Sequence, residues 1–351
     1  MRAIVVERPG PADALSVIEA LDPMPGPGEL SIDVEYAGVG FVDTLFRSGA
    51  FALPTPFIPG IEVTGRVRAL GLGVDGFEPG QPVAALLNDF GRGSRAGGYA
   101  EIAVAHATMA IPVPEEADLA RLGAVLVNGV TAWIALHDLA HLKSTDRVLI
   151  LGASGGLGTA ASRLAALGSA RQVIGVVGSE AKRTQAAEEC TNIIVADTLE
   201  SSVEAVTSGA GVDVIIDPVG GDLRTRAFEL LAPFGRLLIL GDASGQDRTL
   251  SGDATWLGTR QVIGLSLGAV AHLIPGQVSA ALTALVQLIS HGDLDEPEPT
   301  VLPFTDATTA HQLLETRTAP AKTVLSVRLQ TRGEARRVNR TSAPSLPRLG
   351  S

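Results

Sequence analysis

Residues 148–158 read Val-Leu-Ile-Leu-Gly-Ala-Ser-Gly-Gly-Leu-Gly, an apolar run that breaks into a glycine cluster and enters a helix-forming stretch over 159–168. Few folds can absorb that string. An apolar strand that ends in a tight turn and feeds a helix reads as the first βα unit of a nucleotide-binding sheet, with a glycine-rich turn that binds nothing as the alternative. Gly155 lets the backbone approach a pyrophosphate with no Cβ in the way, and Gly158 lets the helix pack closely on its strand. The phosphates would sit on the positive end of that helix, where the first N–H groups have no intrahelical partners. Ala153 stands at the first glycine of G-x-G-x-x-G, with Gly152 just before it. The candidate cradle is therefore Gly152, Ala153, Ser154, Gly155, Gly156, Leu157 and Gly158.

The rest of the chain supplies the context such a turn needs. Its first 120 residues read as short strands at 3–7, 29–38, 62–70, 82–87 and 99–104, divided by turn signals such as Gly26-Pro27-Gly28 and Glu78-Pro79-Gly80. From about residue 123 helices alternate with apolar strands at 147–151, 172–177, 193–196, 212–216, 236–240 and 262–267. Six strands with helices between them describe a doubly wound parallel sheet. After a helix at 277–291, the segment 300–329 returns to short strands and a helix at 306–315. The expected architecture is a β-barrel-like domain over 1–122, completed by 272–329, with an α/β nucleotide-binding domain over 123–271 inserted in it. A basic tail at 330–351, expected to be disordered, follows.

Composition excludes several functions. In 351 residues, Cys190 is the single cysteine, so an intrachain disulfide and a thiolate zinc site are both ruled out. Five arginines and one acid in residues 331–351 hide the acidity of the body, whose net charge without them goes from −11 to −15. That acidity repels nucleic acid, so no nucleic-acid partner is expected. Asn128, Thr131, His137 and Asp138 interrupt apolar runs short of the roughly 18 to 20 residues of a membrane helix. No membrane partner is expected, and an amino terminus that enters a strand without a signal-peptide pattern points to the cytoplasm. His137 and His141 have i, i+4 spacing, but lack the intervening Glu of H-E-x-x-H and a third ligand, and read as surface or core histidines.

Seven runs, the glycine turn among them, carry a family resemblance. They are Ala37-Gly38-Val39-Gly40-Phe41-Val42-Asp43 with Arg47-Ser48-Gly49, Pro59-Gly60-Ile61-Glu62-Val63-Thr64-Gly65, Gly97-Gly98-Tyr99-Ala100-Glu101, Gly129-Val130-Thr131-Ala132-Trp133, the 152–158 turn, Asp217-Pro218-Val219-Gly220-Gly221, and Leu240-Gly241-Asp242-Ala243-Ser244-Gly245. In this order, over about 1–328, they resemble the medium-chain dehydrogenase/reductase superfamily, in its zinc-free quinone oxidoreductase (zeta-crystallin-like) branch. The resemblance implies a GroES-like catalytic domain around a Rossmann domain, and a homodimer joined through the last Rossmann strand. It implies that Thr131, Val219, Gly241 and Ser244 help to hold the cofactor. Two positions depart from the family: Gly40 stands where an Asn is usual, and Phe51 where many members have a Tyr. Ile61 takes the place of the histidine that the zinc-dependent branch carries, and an apolar side chain cannot ligate zinc. No metal is expected.

An NAD site would place a carboxylate about 20 residues beyond Gly158, on the ribose 2′-hydroxyl. That count reaches Gly178, followed by Ser179, Glu180, Ala181, Lys182 and Arg183. Ser179 and Lys182, the latter one of three lysines in the chain, suit a 2′-phosphate instead, so NADPH is the expected cofactor. Without zinc to polarise a carbonyl, the accessible hydride acceptors are quinones and, second, enones or 2-enoyl groups. A nucleotide-binding protein with little catalysis is the rival from another class. Asp43, Arg47 and Glu62 are the candidate catalytic cluster, with a structural ion-pair network as the equally weighted alternative.

Overall fold

The computed structural model describes residues 1–87, 97–319 and 321–327, and the tail expected at 330–351 lies outside them. β1 (Arg2–Val6) and β2 (Leu15–Glu19) form an antiparallel pair. Next come β3 (Glu29–Val39), α1 (Phe41–Ser48), β4 (Glu62–Leu70), β5 (Pro82–Leu86), β6 (Ile102–His106) and β7 (Ala110–Pro112). α2 (Leu119–Trp133), capped by the Asp118 carboxylate on the N–H groups of Ala120 and Arg121, leads out of this region. It continues as a π-helical turn over Ile134–Leu139.

The second sheet takes β8 (Arg147–Leu151), α3 (Gly156–Leu167), β9 (Gln172–Val177), β10 (Asn192–Val195), α4 (Leu199–Thr207), β11 (Val212–Asp217), α5 (Gly221–Glu229), β12 (Leu231–Ile239), α6 (Gly252–Leu257) and β13 (Gln261–Gly264). Its order is β10-β9-β8-β11-β12-β13, all parallel. The direction of winding reverses between β8 and β11, the crevice where open α/β sheets bind ligands. Burial on both faces explains the apolar runs. Val148 and Ile150 of β8 face one core with α2 and α3, while Leu149 and Leu151 face another with Leu199, Val203 and Phe228.

α7 (Leu267–Val270) and α8 (Pro275–His291) then lead back to β14 (Thr300–Pro303), α9 (Ala307–Glu315) and β15 (Thr323–Ser326). β15 pairs antiparallel with β3, so the first sheet reads β14-β15-β3-β4-β5-β7, with β6 also on β3. The end of the described chain thus completes the sheet begun at β3.

Several boundaries differ from expectation. The last Rossmann strand ends at Gly264 instead of 267, because Leu267 turns inward as the first residue of α7 and is 5% exposed. β12 begins at Leu231, five residues early, and passes through Phe234 at φ 64. The expected absence of a long apolar helix is also corrected. Leu119–Leu139 is long and apolar enough to cross a membrane by length and composition, at 21 residues and mean hydropathy 1.6. Its apolar window is 72% buried inside the protein, among β3, β4, α3 and α8, as a core helix would be.

Candidate active site

The glycine turn closes at the carboxyl end of β8. Gly152, at φ 66, accepts through its carbonyl from the Gly155 N–H at 2.9 Å. Gly155 caps α3 in extended conformation with no side chain over the helix end. A Cβ on Gly158 would lie 2.2 Å from the Gly152 carbonyl oxygen and 2.8 Å from Ala153 Cα, so only glycine allows this helix-to-strand approach. A Cβ on Gly155 would meet that carbonyl alone, at 3.3 Å, and both Gly155 and Gly156 are exposed. Ser154 and Leu157 are half-buried beside them. The geometry is an open helix N-terminus of the kind that cradles a diphosphate.

Two side chains that sequence reading missed border this turn. A Cβ on Gly156 would come within 2.4 Å of Asn128 Nδ2 on α2 and 3.8 Å of Lys322 Cδ before β15. Neither belongs to a glycine-rich motif, and the scarcity of lysine was the one hint at Lys322. Thr131, one turn along α2, is 7% exposed and donates its hydroxyl to the Val127 carbonyl at 2.7 Å, which leaves its oxygen lone pairs for other donors.

At the end of β9, Ser179 is exposed and extended, and a short 3₁₀ segment over Glu180–Gln185 follows. Glu180 pairs with Arg183 at 2.6 Å, and Arg183 also donates to the Ile193 carbonyl. Among the described residues Lys182 forms no ion pair. Ser179 and Lys182 are thus left at the strand end while Glu180 and Arg183 satisfy each other.

Val219 and Gly241 lie in the exit loops of β11 and β12, zipped together by hydrogen bonds from Ala243 N to Pro218 O and from Ser244 N to Val219 O. Val219 Cγ2 would stand 3.0 Å from a Cβ on Gly152, so this double loop abuts the glycine turn. The Ser244 hydroxyl donates to Asp242.

Asp43, Arg47 and Glu62 are all buried, but they do not form one hydrogen-bonded cluster. Asp43 accepts from Gly40 N at 2.8 Å and Gly60 N at 3.1 Å, which ties the start of α1 to the loop before β4. Burial pushes its carboxyl up to about 7, against those two N–H groups. Arg47 donates to the Gly10 carbonyl and pairs with Glu315 on α9. Glu62 accepts from Lys322 Nζ at 2.9 Å and from Val127 N at 2.7 Å. Each therefore holds segments of backbone together. Phe51 is 51% exposed and rests against Phe46, and Ile61 is buried. His137 and His141 each turn Nδ1 toward the carbonyl four residues back, and among the described residues no three His, Cys, Asp or Glu side chains could hold a metal together.

This arrangement has close relatives. A family profile described as Zinc-binding dehydrogenase matches residues 143–325, and one described as Alcohol dehydrogenase GroES-like domain matches 26–115. A probable quinone oxidoreductase of Schizosaccharomyces pombe is 32% identical over 244 residues, covering 69% of this chain and 72% of that protein. The chain belongs to the medium-chain dehydrogenase/reductase superfamily, in its quinone oxidoreductase branch. By that membership it is an oxidoreductase with a GroES-like and a Rossmann-type part. Quinone oxidoreductase of Escherichia coli, solved complexed with NADPH, superposes with TM-score 0.83 at 26% identity over 93% of this chain and 100% of that one. A Mycocerosic acid synthase-like polyketide synthase of Mycobacterium tuberculosis is 29% identical over 308 residues, 86% of this chain, which spans 14% of that protein's length. The medium-chain reductase fold therefore also occurs within much larger chains.

Proposed function

We propose that this medium-chain reductase is an NADPH-dependent, zinc-independent enzyme that delivers hydride to a quinone-type acceptor. The observation that carries the reading is the open glycine cradle at the β8/β11 reversal, with Ser179 and Lys182 at the end of β9. Together they fit a diphosphate and a 2′-phosphate. When bound, NADPH supplies the hydride. The first N–H groups of α3 would hold its diphosphate, Lys182 and Ser179 its 2′-phosphate, and the Val219–Gly241 loops its nicotinamide end, with Thr131 nearby. Asn128 and Lys322 would face the diphosphate from the opposite wall, with Lys322 held there by its pair with Glu62. NADPH binding by the Escherichia coli relative supports this assignment.

Ile61 supports metal-free chemistry, because a catalytic zinc needs three protein ligands and an open position. An acceptor that already delocalises negative charge then suits the site best. Phe51 favours quinones over enones within that class, because its ring can donate no proton. A homodimer is part of the proposal. Among the described residues β13 pairs with β12 alone, and Phe234, Trp256, Leu257 and Val262 are exposed there at 71%, 69%, 68% and 42%. An apolar strand edge of this kind is blunted by closing it against a second copy.

Steady-state NADPH oxidation, measured with a panel of quinones and enones with and without a chelator, tests the reading. Turnover of quinones that survives chelation is expected. Faster turnover of enones would move the assignment to 2-enoyl reduction, and binding of NADPH without turnover of any acceptor would favour a nucleotide-binding role.

A further inference from the structure

We infer that Arg224 is a positioning residue for the nicotinamide half of the cofactor, an inference that rests on the NADPH reading above. Asp217 ends β11 fully buried, and its Oδ1 accepts from the N–H groups of Val219 and Gly220 at 2.8 Å each. The Arg224 guanidinium, 4% exposed on α5, donates through Nε to Asp217 Oδ2 and through Nη2 to the Gly241 carbonyl at 2.6 Å. One side chain thereby clamps the exit loop of β11 to that of β12.

The consequence lies in what the clamped loops present. The N–H groups of Val219, Gly220, Gly221, Ala243 and Ser244 are all taken by Asp217 or by carbonyls of these loops, and the carbonyls of Pro218, Val219 and Gly241 are taken as well. The clamped loops present a stiff surface bearing the Val219 side chain, beside Gly152. Arg224 sets its height. Gly220, at φ 76, has no room for a Cβ, which would lie 3.0 Å from Arg224 Nη2 and 2.2 Å from Asp242 Oδ1. The guanidinium thus fills the space beneath the turn. A planar fork can satisfy a carboxylate and a carbonyl together, whereas a lysine ammonium cannot span both in that geometry. The adenine end is remote from this bridge. β9 and β12 stand three strand spacings apart, about 14 Å at about 4.8 Å each.

Calorimetric titration with two probes separates positioning from folding. NADPH carries both halves, and adenosine 2′,5′-bisphosphate carries the adenine half with its 2′-phosphate. Arg224→Lys keeps a cation beside Asp217 and loses the bridge. It is expected to bind the bisphosphate within about twofold of wild type, to bind NADPH about tenfold more weakly, and to lose more in kcat than in KM. Asp217→Asn/Arg224→Met, which removes the buried charge pair together, gives the same pattern should Arg224→Lys fold poorly. Undiminished NADPH binding in both variants, or equal weakening of both probes, overturns the inference. Wild-type protein that binds neither probe overturns the cofactor reading and this inference with it, and that failure is visible before any substitution is made.

Discussion

Lys322 Nζ stands 2.9 Å from Glu62 Oε1, joining the approach to β15 to the first residue of β4. Glu62 is 1% exposed and its other oxygen takes the N–H of Val127, so this pair also fixes α2 beneath the cofactor cradle. Lys322→Met leaves a buried carboxylate without its cation. Removing one partner of a buried pair costs about 3 kcal/mol or more. Urea unfolding should show a loss of that order, and Glu62→Gln added to it should recover more than half. Strict additivity of the two single substitutions would show that the pair is not coupled.

Selectivity for the 2′-phosphate should reside in Lys182, because Arg183 is already committed to Glu180 and the Ile193 carbonyl. Wild-type protein is expected to bind NADPH at least about tenfold tighter than NADH, about 1.4 kcal/mol, and Lys182→Ala should erase most of that difference. Equal dissociation constants for the two nucleotides in the wild type would refute the assignment.

Two buried groups give stability opposite slopes with pH. His311 accepts or donates at Nε2 to the Tyr99 hydroxyl at 3.1 Å, and burial, with Arg47 nearby, lowers its pKa from 6.5 to about 3. Below 6.5 the unfolded chain takes up a proton that the folded one refuses, so this term is lost as pH falls. Burial raises Asp43 from 3.8 to about 7, so its term is present below 3.8 and is lost as pH rises through 7. His311→Gln should therefore gain melting temperature relative to wild type between pH 6.5 and 4, and Asp43→Asn should gain relative to wild type between pH 4 and 7. Differences that do not change with pH would mean that neither group titrates as described.

Much of the cofactor cradle was legible because local chemistry dictates it. A strand, a turn that demands glycine at 152 and 158, and a helix have one compact solution. The six Rossmann strands and the parallel class of their sheet followed from alternating apolar runs and helices. What could not be read were partners brought together only by the closing of two sheets. Arg224 looks like an ordinary helix cation until β12 places the Gly241 carbonyl over it. Arg47 and Glu62, inside two of the family runs, read equally as catalytic residues or as a structural ion-pair network, and their ionic partners, Glu315 and Lys322, are too distant in sequence to be read. The turn at Phe234 escaped notice because a positive φ on a non-glycine residue leaves no signature in composition.

The exposed edge of β13 offers a test of assembly. Val262→Lys, in the middle of that edge, places a charge where a second copy would pair. The wild type is expected to scatter light as a dimer at micromolar concentration, and the variant to shift toward monomer with its NADPH affinity intact. A monomeric wild type would remove this interface.

Phe51 leads to a prediction about the reaction itself. Reduction of a simple enone needs a proton as well as a hydride, and a positioned acid contributes about 10²- to 10⁴-fold, roughly 3 to 5 kcal/mol of barrier. Phe51 is exposed and packs on Phe46, and its ring has no acidic proton. A quinone takes hydride to give an anion spread over its ring, which can collect its proton later from water. Quinones should therefore exceed simple enones in kcat/KM by about tenfold or more, and Phe51→Tyr should raise enone turnover more than quinone turnover. If the wild type instead reduces enones faster, another group supplies the proton. Asp43, raised to about 7 but holding Gly40 and Gly60, is then the first residue to replace with Asn. Loss of enone turnover, with quinone turnover retained, would identify it as the donor.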